Sequence, residues 1–426
     1  MIRRAYENRI YPTEEQAIIL LRWEGSLRFL WNLANEQYMQ AFSRCRVDRH
    51  WPTAMSQMYE LTPLRDDLPW LADVPRDACN QVLIRLDQAW QRYFLHLAEK
   101  PQFKCKYRDA VSICSPDTRS FRVEGEGRLT NLIFFKTMLG GPIKIRQHRP
   151  TEGKVKSCTI TRDVDQWFAS FSCEIEVPDP LPSTLPAVAI DRGVTDLLAD
   201  SNGRCVENPR CFKKGRDKLA ALQADAANKG KGSKNKGKAK VKVARQHRKI
   251  RRQREAVLHR ESLYYAKNHG TVVIERLDIG AMTASASGTV EEPGTNVAQK
   301  RGLNRAILDS GWGEFARMTE YKLIPRGGNV EKVSAYKSSI TCGECGKVHP
   351  ASRNGKLFHC VFCGHEDDAD VNAAKVLLKR RRTDGVGLTG AARPRKQLRV
   401  VRRGTRRITV GKHQGSTPEA PAVKPG

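Results

Sequence analysis

The chain has 426 residues, enough to bury the cores of roughly two to four modules. Lys and Arg number 75 against 46 Asp and Glu, a formal charge of +29, so the expected partner is a polyanion, most commonly a long nucleic acid. Membrane binding is the rival for a basic protein. It is set aside because no apolar run approaches the roughly 18 residues of a span and Met1-Ile2-Arg3-Arg4-Ala5-Tyr6 lacks a signal peptide's apolar stretch, so a cytoplasmic location with reduced cysteines is expected.

In chain order, residues 3–12 (RRAYENRIYP) read as a short strand stopped at Pro12. Thr13-Glu14-Glu15-Gln16 then has the capping-box pattern, opening a helical region that runs on through residues 26–42. The segment 76–97 predicts a second helix. Its Val82, Leu83, Leu86, Ala89, Trp90, Tyr93, Phe94 and Leu97 recur at helical spacing and read as the core stripe of a bundle. The opposite face carries Arg76, Asn80, Arg85 and Gln88, side chains able to touch phosphates or base edges. From about residue 118 to 177 the pattern changes to strands. Residues 154–177 alternate as Val155, Thr159, Thr161, then Trp167, Ala169, Phe171, Cys173, Ile175, on either side of a polar turn at Asp163 to Gln166, which predicts a hairpin. The proline-rich stretch 178–186 reads as a domain boundary.

Residues 211–260 hold 18 Lys and Arg against three acids, and so supply 15 of the 29 net charges. The tract 228–242 (NKGKGSKNKGKAKVK) is broken by glycine and reads as flexible; residues 244–270 read as a basic helix. A charge run is ordinarily a solvated face. Its density here favours a phosphate-binding arm, with Arg245, Arg248, Arg251 and Arg252 as candidate contacts. Residues 380–412 are basic as well, with Asp384 their only acid, and the final STPEAPAVKPG reads as disordered.

Three carboxylates stand out. Asp191 ends the apolar run Val188-Ala189-Ile190, and Glu275 ends the β-branched run Thr271 to Ile274. Asp370 opens a helix whose apolar face is Ala374, Leu377 and Leu378. For Asp191 alone a turn-capping role is the commoner reading. Acids delivered at two strand ends and one helix start can converge only if a sheet brings them together, as an RNase H-like fold does, with residues 187–207 as its first strand and following hairpin. Three carboxylates in one pocket repel unless divalent cations sit between them, and oxygen donors select Mg²⁺ or Mn²⁺. Two such ions roughly 3.5–4 Å apart activate a water and stabilise the leaving oxygen of a phosphodiester.

The twelve cysteines divide into eight scattered from Cys45 to Cys211 and a set of four, Cys342-x2-Cys345 and Cys360-x2-Cys363. The paired spacing, each pair followed by a glycine (Gly346, Gly364), is that of a structural zinc ribbon. A disulfide is disfavoured in cytosol, and a redox CxxC needs no second copy. His349, His359 and His365 read as supporting residues, because four cysteines complete the tetrahedron.

The stretches AIDRGV, VVIERL, SGWGEFARMTEYK (310–322), SSITCGECG, FHCVFCGHEDDADVNAA and the N-terminal RIYPTEEQ resemble the TnpB family of transposon-encoded RNA-guided nucleases and the related compact type V CRISPR effectors. The resemblance spans nearly the whole chain and is most specific from 187 to 378. It implies a multidomain α/β protein: an N-terminal wedge β-barrel (residues 1–12 and 111–180) with an inserted helical recognition module (13–110), then an RNase H-like RuvC nuclease domain. That domain covers 181–340 with a basic helical arm at 211–268, takes a zinc-ribbon insertion at 341–366 and ends at 367–380, before a basic tail at 381–426. It also implies Asp191, Glu275 and Asp370 as catalytic acids holding two Mg²⁺ or Mn²⁺, with Asp370 preferred over Asp367 and Asp368 for its D-x-N-A-A context. Cys342, Cys345, Cys360 and Cys363 become the ligands of one structural Zn²⁺. Arg76 and Asn80 fall where the family reads a short motif beside its target. The partners implied are a guide RNA and double-stranded target DNA. The rivals are a guide-dependent repressor that binds without cutting and a guide-free zinc-ribbon DNA-binding protein. Transposon-borne and CRISPR-borne forms both fit this length.

Overall fold

In the computed structural model the residues described are 2–43, 51–106, 108–135, 138–288 and 293–384. The basic tail expected beyond 384 lies outside them. Strand β1 (Ile2–Tyr11) runs into helix α1 (Glu14–Ser43). The expected capping box is present: Gln16 N–H donates to Thr13 Oγ1 at 3.3 Å, and Thr13 N–H donates to Gln16 Oε1 at 3.0 Å. Helices α2 (Ala54–Asp67), α3 (Pro69–Ala72) and α4 (Arg76–Phe94) complete a helical module. On α4 the stripe residues Val82, Leu83, Leu86 and Trp90 are buried, and Ala89 and Tyr93 partly so. The helix stops at Phe94, His96 takes a positive φ of 55°, and the expected stripe residues Phe94 and Leu97 are exposed.

Strands β2 (Ile113–Ser115), β3 (Phe121–Glu124), β4 (Leu129–Phe134), β5 (Ile143–Arg146), β6 (Lys154–Asp163) and β7 (Gln166–Ile175) join β1 in one antiparallel sheet ordered β2-β6-β7-β1-β5-β4-β3. The sheet coils until Phe121 on its last strand faces Phe171 on β7, with centroids 6.2 Å apart. One core runs unbroken from Tyr6 and Ile10 in this sheet to Trp90 in the helices. The β6–β7 hairpin forms as expected, and Trp167, Ala169, Phe171 and Cys173 point inward. On β6 the expected inward face is wrong: Cys158 and Ile160 are buried, while Val155, Thr159 and Thr161 are only partly so. A register shift between Val155 and Ser157 inserts one residue, and a one-residue slip moves the following side chains to the other face.

The second domain is built on a five-stranded sheet of β8 (Ala187–Asp191), β9 (Asp196–Asp200), β10 (Cys205–Glu207), β11 (Thr271–Glu275) and β12 (Asn329–Val333), ordered β10-β9-β8-β11-β12. The first three strands form an antiparallel meander; β8, β11 and β12 are parallel. Between β10 and β11 lie α5 (Cys211–Ala227) and the 35-residue α6 (Lys234–Asn268). The helix therefore begins inside the lysine-glycine tract expected to be flexible, capped by Ser233, whose Oγ accepts from Lys236 N–H at 3.1 Å. Glycine costs a helix about 1 kcal/mol, and only Gly237 falls within this part of it. Helices α7 (Ile279–Met282), α8 (Val297–Ser310) and α9 (Trp312–Leu323) follow β11. Gly311 joins the last two at φ 66°, with Leu258 of α6 so close that a Cβ would lie 2.8 Å from its Cδ1, so only glycine fits.

The residues after β12 form a small three-stranded sheet of β13 (Arg353–Asn354), β14 (Leu357–His359) and β15 (Glu366–Asp368), which leads into α10 (Ala369–Asp384). This sheet ends two residues beyond the expected boundary at 366. Among the described residues no helix is long and apolar enough to cross a membrane.

Candidate active site and metal centre

Side chains alternate across a strand, so the sheet's parity decides which face the acids use. Val188, Ile190, Val272 and Ile274 point to one face and pack with Leu258 and Tyr265 of α6 and Phe315 of α9. Ala189 and Val273 point to the other, where Leu377 of α10 covers them. Strands β8 and β11 are parallel with Ile190 opposite Ile274, so Asp191 and Glu275 follow at one level and leave on the α10 face. Helix α10 packs on β8, β9, β11 and β12 and carries Asp370 in its first turn. All three acids lie at this corner, near enough for Glu275 and Asp370 to act on Asp191 through their charges. Burial, then the charges of Glu275 and Asp370, push Asp191 up to about 8; burial likewise raises Glu275.

The neighbouring acids have structural partners. Asp368 caps α10: its Oδ1 accepts the N–H groups of Asp370 at 2.9 Å and Val371 at 3.2 Å. Asp367 pairs with Lys375 at 2.7 Å. These contacts separate Asp370 from the other two. Its own carboxylate receives Arg353 Nη2 at 2.8 Å.

Several side chains at this corner escaped the sequence reading. Arg192 is buried beneath it, with Nη2 donating to the Glu275 carbonyl at 2.6 Å and Nη1 to the Trp312 carbonyl at 3.3 Å. Trp312 Nε1 in turn donates to the Gly193 carbonyl at 3.2 Å. Arg353 and Lys356 come from the small sheet and pair with Asp370 and Asp196. Asn372, fully buried, accepts the Gly343 N–H at 2.7 Å and donates to the Thr341 carbonyl at 2.8 Å, fastening the Cys342 knuckle to α10. The only advance signal was Asn372's place in the VNAA run.

The four cysteines do converge. Their sulfurs all lie within 4.8 Å of one another, with Cys342 to Cys363 at 3.7 Å and Cys345 to Cys360 at 3.6 Å. Tetrahedral zinc with bonds of about 2.3 Å needs its sulfurs about 3.8 Å apart, so the cluster fits the ion. Gly346 and Gly364 take positive φ in the two knuckles, where their N–H groups donate to the carbonyls of Cys342 and Cys360 at 3.0 and 2.9 Å. His349, His359 and His365 stand outside the cluster.

The expected nucleic-acid contacts are placed as follows. Arg76 opens α4, exposed, and donates to Thr62 Oγ1 at 2.7 Å; Asn80 sits one turn on, half-buried. The four arginines of α6 meet the β6–β7 turn. Arg245 and Arg248 pair with Asp165 at 2.6 and 2.8 Å, and Arg251 and Arg252 with Asp163 at 2.6 and 3.3 Å. They dock the arm on the first domain, a role the charge run did not suggest.

A family model described as "Probable transposase" matches residues 170–286, one described as "Cas12f1-like, TNB domain" matches 312–377, and a "Helix-turn-helix domain" model matches 1–44. The chain is 32% identical over 382 residues to "Putative RNA-guided DNA endonuclease InsQ" of Escherichia coli (strain K12), covering 88% of this chain and 91% of that protein. It is 33% identical over 384 residues to "Putative RNA-guided DNA endonuclease" of Streptomyces pristinaespiralis, covering 88% and 89%. Its fold is similar to that in "Cryo-EM structure of the Cas12f1-sgRNA-target DNA complex", with a TM-score of 0.52 at 15% identity, over 86% of this chain and 83% of that one.

Proposed function

The chain belongs to the TnpB family of transposon-encoded proteins, and from that premise we propose that it is an RNA-guided DNA endonuclease that cuts with a single RuvC-type site. One observation carries the reading: Asp191 and Glu275 leave adjacent parallel strands at one register, on the face where α10 presents Asp370. A five-stranded sheet ordered β10-β9-β8-β11-β12, with its first three strands antiparallel, supports an RNase H-like core. In this reading the coiled seven-stranded sheet is the wedge barrel, α1 to α4 are the recognition module, and the cysteine cluster is a zinc ribbon within the nuclease domain. Arg76 and Asn80 serve as readers of the motif beside the target.

The three carboxylates form an all-oxygen donor set, with Glu275 buried and Asp191 partly so, which suits Mg²⁺ or Mn²⁺. Bound by Asp191, Glu275 and Asp370, such ions supply an activated water and charge for the leaving oxygen. Arg192 holds the Glu275 backbone from below and so fixes its carboxylate. Arg353 balances Asp370 and is placed to take a phosphate oxygen in exchange, a bidentate geometry that guanidinium favours. Base pairing with the guide carries the sequence information. The rival without cleavage, a guide-dependent repressor, is disfavoured because all three acids are in place.

The test uses the protein purified with its guide. Asp191→Ala, Glu275→Ala and Asp370→Ala should each abolish Mg²⁺-dependent cutting and spare guide-dependent binding of target DNA. Cutting that survives Asp370→Ala but not Asp368→Ala would overturn the assignment.

A further inference from the structure

A cavity of about 330 Å³ opens at the β8–β9 loop that follows Asp191, walled by Val194 and Thr195, the start of α5, and α8. Arg210, Lys213, Arg216 and Arg305 stand around it, all exposed, and Phe212 lies half-buried in its wall. We propose that this cavity seats one unstacked nucleotide of the DNA strand being cut, with its base against Phe212 and its phosphates on the cationic rim. The proposal rests on the nuclease reading above and adds a binding site to it.

Three features argue that the cavity is built for a ligand. First, its rim is charged without compensation: among the described residues Arg210, Lys213 and Arg305 have no carboxylate partner, and Arg216 meets only the exposed Asp217 beside it. Asp309, at the base, is already engaged, taking the Phe212 N–H on both oxygens at 3.0 and 2.9 Å and facing Arg254 at 3.8 Å. Second, the walls are fastened to each other. Buried Asn208 donates to the Val194 carbonyl at 2.9 Å and to Ser310 Oγ at 3.0 Å, and accepts the Arg210 N–H at 3.0 Å. Third, Arg210 holds φ 46°, a conformation that non-glycine residues adopt at a cost and that concentrates at ligand-binding positions. Phosphate is met by guanidinium and ammonium, and any base can stack on an aromatic ring, so these groups match a nucleotide without selecting its sequence.

The position selects the strand. Val194 is three residues past Asp191, so their backbones are at most about 11 Å apart. One wall of the cavity is therefore within a few nucleotides' reach of a strand whose phosphodiester lies on the acids. A duplex cannot enter a concavity of this size, but a single base can.

The experiment uses the guide-loaded complex and a target duplex. The first variant is the triple change Arg210→Ala, Lys213→Ala and Arg305→Ala; the second is Phe212→Ala. The third, Gly302→Leu, fills the mouth of the cavity. A Cβ at Gly302 meets nothing within 4 Å, and leucine favours the helix, so that variant should fold at least as well as the parent. Each should keep guide retention and target binding while the cutting rate falls about tenfold or more, the loss expected for a base stacked on an aromatic ring. In the Asp191→Ala complex, DNA carrying 5-iododeoxyuridine beside the cut position should crosslink to Phe212 on irradiation, and guide RNA carrying 5-iodouridine should not. Wild-type cutting by Gly302→Leu, or crosslinking through the RNA alone, would overturn the proposal. A wild-type complex that never cuts would sink the nuclease reading instead, and the crosslink would still decide the cavity.

Discussion

Replacing Asp163 and Asp165 together by asparagine should loosen the long basic helix from the first domain without costing the protein its RNA. These two acids at the β6–β7 turn hold four arginines of α6. The sheltered contact is Arg248 to Asp165, with the arginine side chain only 9% exposed and also donating to the Asp163 carbonyl at 2.6 Å. A charge-assisted bond of that kind is worth about 1.5–3 kcal/mol. The other three arginines are about half exposed, and such pairs contribute about 0.2–1 kcal/mol each. Asparagine keeps an acceptor, and neighbouring effects do not add, so a loss of about 2–4 kcal/mol is expected. For a unit of this size that lowers Tm by roughly 5–10 °C. Differential scanning calorimetry at low and high salt is the assay, and the gap between variant and parent should narrow as salt screens the exposed pairs. RNA retention, measured by filter binding, should stay level or rise, because four cations are released. Changing Arg245, Arg248, Arg251 and Arg252 to glutamine should lower it for every guide sequence, since phosphates carry no sequence information. A Tm shift below about 1 °C would refute the docking argument. So would an asparagine variant that loses RNA as badly as the glutamine variant.

Two further outcomes are expected. Cys342→Ser should lower zinc from one ion per folded chain and reduce stability, because a structural site couples metal binding to folding; atomic absorption and a melting curve check it. Asn372→Ala removes two buried hydrogen bonds between α10 and the ribbon knuckle, a cost of about 2–4 kcal/mol, and should appear as faster proteolysis around residue 343 with the zinc still bound.

The strands that carry Asp191 and Glu275 were legible because short β-branched or apolar runs ending in an acid have few other readings, and the cysteine spacing left one ligand set. The capping box at Thr13 was legible for the same reason: its partners are three residues apart. What stayed hidden depends on contacts far along the chain. The inserted residue at Val155 to Ser157 reverses a face, and its mark is only the switch of apolar positions from Val155 to Cys158 and Ile160. The four arginines of α6 look like a free phosphate arm until the β6–β7 turn, some 80 residues earlier, is folded against them. Arg192 follows the acid in AIDRGV and reads as a loop charge, yet it is buried because the Glu275 and Trp312 carbonyls wait for it.

The charges around the acids explain where the ribbon sits. Asp370 and Asp196 are answered by Arg353 and Lys356, three residues apart on one small hairpin of the ribbon. Asp367 is answered by Lys375 of α10, whereas Arg192, beneath the corner, bonds the Glu275 backbone and acts on both the Glu275 and Asp191 carboxylates only through its charge. Among the described residues neither Asp191 nor Glu275 has an ion-pair partner, and both are pushed up, Asp191 to about 8. Burial against two like charges is unfavourable unless cations enter, so the corner is built to be completed by positive charge. Four cysteines placed elsewhere in the chain could converge equally well. They could not bring Arg353 to Asp370, because that approach depends on β15 running directly into α10 and on Asn372 fastening the first knuckle to the same helix. The cysteine cluster, the small sheet and the carboxylates thus form one mechanical unit, in which unfolding of the knuckles would displace two cations from the acids.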